Sequence, residues 1–103
     1  VVRSASLISL ATAVPKHILS QDEAAGAARK MFGARYAAFD RMAAVFYSAG
    51  IEKRHSVRPI TWFFEPRGWK ERTAVYLEES HALFVAAAAE ALEKAHLRAD
   101  EID

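Results

Sequence analysis

A chain of 103 residues with 52% hydrophobic and 26% charged residues has the composition of a single small globular domain, which excludes an intrinsically disordered segment. A net charge of +1 creates no field strong enough to imply a polyanion partner, and no apolar run nears the roughly 20 residues of a membrane span. With no cysteine, these residues hold no disulfide, thiolate zinc site or thiol nucleophile, and a reducing compartment fits.

The first segment, Ser6 to Val14, is small and apolar without helical periodicity, and Pro15 closes it. It is predicted as a strand buried on both faces. The opening VVRSASLISLATAVP shares a basic residue, an apolar run and Ala11-Thr12-Ala13 with a signal peptide. Ser6, Ser9 and Thr12 interrupt that run, so the strand is the better reading.

Ser20-Gln21-Asp22-Glu23 has the form of a capping box, in which a serine accepts from the third amide and a glutamate reaches back. It predicts a helix over 21–32, rich in alanine and packed closely on a neighbour, with Gly33 as its stop. A second helix is expected over 35–47. Tyr36, Phe39, Ala43 and Phe46 recur there at spacings of three and four and form one apolar stripe, with Arg41 off it. Gly50 marks its exit.

Ile51 to Arg58 reads as a short extended segment before Pro59, and 59–68 as a loop holding Pro59, Pro66 and Gly68. Residues 69–97 contain neither glycine nor proline and predict a long helix of roughly 40 Å. Leu77, Phe84, Val85, Ala88, Leu92 and Ala95 are its expected buried stripe, and Glu90–Lys94 a favourable i,i+4 pair.

Charge is polarised along the chain. Residues 51–72 hold six Lys/Arg against three Glu, whereas 78–103 hold two Lys/Arg against seven Asp/Glu. Trp62, Phe63, Phe64 and Trp69 interleave with the basic residues, as in a surface that contacts phosphates and stacks on bases. No recognition helix, RNP-like pattern or zinc spacing accompanies them. The favoured reading is a loop anchored to the core by its aromatics. His17, His55, His81 and His96 lack metal-ligand spacing, and no serine sits in a nucleophile-elbow context.

One strong strand among three helices cannot satisfy its own backbone, since a ladder needs partners. The fold class expected is therefore α/β and incomplete. Residues 1–103 would form one part of a larger domain without an internal boundary, its other strands missing.

Read in order, the segments resemble the condensing enzymes of the thiolase fold. LISLATAVPKHILSQDEAA is similar to their opening strand, proline turn and first helix. SAGIEKRHSV matches their small-Gly-Ile-x-x-Arg segment through Ala49, Gly50, Ile51 and Arg54. YLEESHALFVAAAAEALEKAHLRADEID is similar to the helix and acidic turn before their next core strand. The long connection holding Trp62, Phe63, Phe64, Pro66 and Trp69 is closer to the chalcone synthase-like type III polyketide synthases, bacterial members in particular, than to ketoacyl-carrier-protein synthase III, the alternative within the fold. A self-contained helical interaction module is the alternative from another class.

The resemblance implies an N-terminal portion of a cytoplasmic, homodimeric acyltransferase without a cofactor. It would extend an acyl-CoA starter with malonyl-CoA to a pyrone, resorcinol or related polyketide, and bind neither nucleic acid nor membrane. The family's catalytic Cys, His and Asn lie beyond the matched region, so no catalytic residue is expected here. Its basic CoA-contacting positions fall, without gaps, on Arg41, Ala44 and Ser48. Arg41 alone keeps the charge and is the substrate-binding residue expected, with Lys53, Arg54 and Arg58 nearby and Arg54 better suited to a structural role.

Overall fold

The computed structural model describes residues 2–103, and the chain divides into two compact units. The first unit is Pro15–Glu71. It runs through β1 (His17–Ser20), α1 (Gln21–Phe32), α2 (Phe39–Ser48), β2 (Lys53–Ser56) and a 3-10 turn at Ile60–Phe64. β1 and β2 pair antiparallel, with His17 opposite Ser56 and Ser20 opposite Lys53. α1 packs on α2, on both strands and on the 3-10 turn. The buried apolar residues are Ala25 and Ala27 of α1 and Phe39 and Ala43 of α2, and the last two share one face of their helix.

α1 starts where the capping box places it. Glu23 N–H donates to Ser20 Oγ at 3.1 Å, and Ser20 N–H donates to Glu23 Oε2 at 2.8 Å. Losing such a cap costs about 1 kcal/mol. Gly33 follows the last residue of the helix, and its lack of a side chain matters for space. It stays right-handed (φ −56°), but a Cβ there would sit 2.5 Å from the Arg29 carbonyl oxygen, to which Gly33 N–H donates at 2.8 Å. Gly50 is the left-handed glycine, at φ +70°, turning the chain from α2 toward β2.

Two expectations for the N-terminal half of the chain are corrected. α2 begins at Phe39 instead of 35, because Ala34-Arg35-Tyr36-Ala37-Ala38 offers no capping side chain, and Ala38 makes no side-chain cap bond. Arg35 and Tyr36 N–H instead close turns onto Phe32 O, at 3.0 and 3.2 Å. Tyr36 therefore leaves the apolar stripe and is exposed, while Phe39 and Ala43 stay buried and Phe46 half-buried.

The second correction concerns the strand. Residues 6–14 form none; the first strand is β1, at His17–Ser20. Backbone pairing decides this. Among the described residues β1 has a partner in β2, and 6–14 has no ladder partner. From Ser9 to Ser20 exposure still alternates with period two, as in an extended chain. It is not buried on both faces, for Leu7 is 83% exposed.

The second unit joins the residues up to Val14 with Arg72–Asp103 and consists mostly of α3 (Trp69–Ala95). Ser9 Oγ donates to Ala91 O at 2.8 Å and Lys94 Nζ to Leu10 O at 3.4 Å, while Lys94 also pairs with Glu90 at 2.8 Å. α3 ends in a Schellman motif. Leu97 N–H donates to Leu92 O and His96 N–H to Glu93 O, with His96 left-handed at φ 56°. A non-glycine residue there costs about 1–2 kcal/mol.

The expected stripe on α3 is also corrected. Leu92 and Ala95 are half-buried, but Leu77, Val85 and Ala88 are exposed, and Phe84 is 77% exposed. Half-buried positions instead follow Val75, Glu79, Leu83, Ala87 and Ala91. From Ala82 to Leu92 the helix is apolar almost all round, so periodicity alone selects no single face.

Candidate functional site

Helix geometry sets the direction of Arg41. At 100° per residue it stands about 160–200° from both Phe39 and Ala43, on the side of α2 opposite its buried face. It is exposed, and Ala44, Val45 and Ser48 share that face. Its neighbour Asp40 is already engaged, since the Asp40 carboxylate pairs with the Arg29 guanidinium from the last turn of α1. Arg29 also lies 5.5 Å from the Phe39 ring centroid. Arg41 has no ion pair among the described residues.

The basic-aromatic stretch uses several of its charges internally. Arg67 sits 4.5 Å over Trp62, donates to Trp62 O at 3.2 Å, and pairs with Glu65 and Glu71 at 3.1 and 3.3 Å. The Lys30 ammonium lies 4.1 Å from the Phe64 ring centroid, which anchors the 3-10 turn to α1. Trp62 and Phe64 are half-buried, as expected of an anchored loop, whereas Trp69 is exposed. Arg54 Nε donates to Gln21 Oε1 at 3.2 Å, the structural role expected of it, and Arg58 Nη1 donates to Val57 O at 3.2 Å.

An open cleft of about 510 Å³ is lined by Ser20, Gln21, Asp22, Tyr47, Gly50, Ile51 and Glu52. Its charged residues, Asp22 and Glu52, are acidic, so it repels a phosphate; Arg41 is not part of it. At its edge Tyr47 O–H donates to Asp22 Oδ1 at 3.0 Å. That hydrogen bond first, and the charge of Asp22 second, raise the Tyr47 phenol above its ordinary value of 10.0. Neutral tyrosine is therefore favoured in the folded state. Its contribution is complete below the unfolded value and is lost as pH rises through the raised folded one. Thermal unfolding between about pH 9 and pH 11 should show it. Tyr47→Phe should lose less stability over that interval than the parent, and parallel profiles would remove the Asp22 contact.

Sequence reasoning missed Gln21 and Tyr47. The capping box pointed to Ser20 and Glu23, but an amide at the first helical position carries no signal of being buried. Among the described residues no group of three His, Cys, Asp or Glu could hold a metal ion, and no helix is long and apolar enough to cross a membrane.

The mixed α/β arrangement corresponds to part of a thiolase-like fold. It superposes on 1,3,6,8-tetrahydroxynaphthalene synthase from Streptomyces coelicolor A3(2), a bacterial type III polyketide synthase, with a TM-score of 0.74 and 26% identity, over 86% of this chain and 26% of that one. A chalcone synthase candidate of Bacillus subtilis (strain 168) is 33% identical over 76 residues, or 74% of this chain. The chain belongs to the chalcone synthase-like family of type III polyketide synthases. It spans 21% of the length of that curated relative. No family model matches it.

Proposed function

We propose that this segment is the N-terminal portion of a decarboxylative condensing enzyme, and that Arg41 binds a phosphate of its CoA thioester substrates. The enzyme would load an acyl starter from CoA, extend it with malonyl-CoA to a pyrone, resorcinol or related polyketide, and work as a cytoplasmic homodimer. Its thiol nucleophile would lie outside these 103 residues, which hold no cysteine. One observation carries the assignment of Arg41. It is an exposed guanidinium on the outward face of α2, left without an ion-pair partner among the described residues because Arg29 occupies Asp40. Guanidinium suits phosphate because its fork donates two hydrogen bonds at once.

The test is steady-state kinetics of the enzyme from the complete reading frame on a CoA thioester and on the matching pantetheine thioester, which lacks the nucleotide phosphates. Charge recognition makes the CoA form the better substrate at low salt, and added salt erodes the difference. Equal kcat/KM for the two at low salt would overturn the reading.

A further inference from the structure

Arg41 can be no better placed than α2 itself, and α2 is weakly held at its ends. Its start lacks a side-chain cap and its last turn has no basic residue. Its C-terminal end is tied to α1 by a buried side chain of that helix. Gln21, 7% exposed, is the buried polar residue among those described. Each of its polar groups reaches a different place. The main-chain N–H donates to Glu52 O at 2.9 Å, ahead of β2. The amide nitrogen donates to Phe46 O, in the last turn of α2. The amide oxygen accepts from Arg54 Nε at 3.2 Å, within β2.

We propose that Gln21 is a positioning residue: through its amide it fixes the last turn of α2 against α1 and β2, and thereby sets where the Arg41 guanidinium stands. The functional half of this inference rests on the CoA reading of Arg41. The chemistry selects an amide, because both jobs fall to one planar group. A glutamate could accept from Arg54 but not donate to Phe46 O, and a lysine could donate but not accept. Methionine would fill similar space and do neither. The Tyr47–Asp22 bond ties the same two helices, but from the exposed surface, where it competes with water.

The experiment uses the enzyme of the complete reading frame with Gln21→Met and Gln21→Glu, read by amide hydrogen exchange and by kinetics. In Gln21→Met, exchange over 45–49 and 53–56 should accelerate about tenfold, the loss expected for two hydrogen bonds, while α3 is unchanged. Gln21→Glu should release the end of α2 and leave β2 protected. A space-filling role predicts instead that Met behaves as the parent, and exchange within about twofold of the parent overturns the proposal.

In kinetics, Gln21→Met should raise KM for the CoA thioester about three- to tenfold with kcat nearly constant. Combined with Arg41→Ala it should add nothing further, since no guanidinium is left to position. Additive losses would overturn the proposal. If Arg41→Ala is itself silent, the CoA reading fails, and the exchange measurement still decides for or against Gln21.

Discussion

Residues 1–103 incubated with an acyl-CoA should keep their mass. Acyl loading needs a nucleophile activated by a neighbouring base, and no thiol is present. Serine hydroxyls are weaker candidates, and for five of the seven serines the hydrogen bonds lead elsewhere. Ser9, Ser48, Ser56 and Ser80 donate to main-chain carbonyls, and Ser20 Oγ accepts from the Glu23 amide. None of these partners is a base. Among the described residues the histidine ring nitrogen with a close polar partner is His55 Nδ1, which lies 3.1 Å from Pro15 O. Intact-mass spectrometry should therefore show no adduct, whereas the enzyme from the complete reading frame should gain one acyl group. A stoichiometric adduct on the 103 residues would overturn the assignment of catalysis to residues outside them.

What could be read from the sequence divides by the range of the interaction. The start of α1 was legible because its determinants, Ser20 and Glu23, are three residues apart and satisfy each other. The long α3 was legible because 27 residues without glycine or proline suffice to predict a helix. The strand at 6–14 failed because apolar composition cannot say which segment finds a ladder partner. β1 is less apolar, yet it pairs with β2. The stripe on α3 failed for a related reason. A helix apolar on several faces is oriented by its neighbours, and those are not written in its own periodicity. Arg41 was legible as a residue off a stripe. Its isolation from Asp40 was not, because that depends on Arg29 reaching across from α1.

Arg41→Ala in the enzyme of the complete reading frame should weaken CoA thioesters about ten- to a hundredfold, the loss of one charge-assisted hydrogen bond of roughly 1.5–3 kcal/mol. The loss should fall on KM and spare kcat, since the nucleotide end of CoA is held alike in ground and transition states. Three features separate this from damage to the fold. Arg41 is exposed and makes no ion pair among the described residues, so its removal should leave the melting temperature unchanged within the usual range for surface substitutions. The defect should shrink with a pantetheine thioester, which carries no nucleotide phosphate. It should also shrink as salt rises, because an exposed contact is screened within a Debye length of about 10 Å at 0.1 M. Arg41→Lys should recover part of the affinity, keeping the charge but not the two-pronged geometry. A solvated helix charge makes the opposite forecast, namely that mutant and parent share one KM for CoA substrates at low salt. That result would remove Arg41 from the site and leave the outward face of α2 without a ligand.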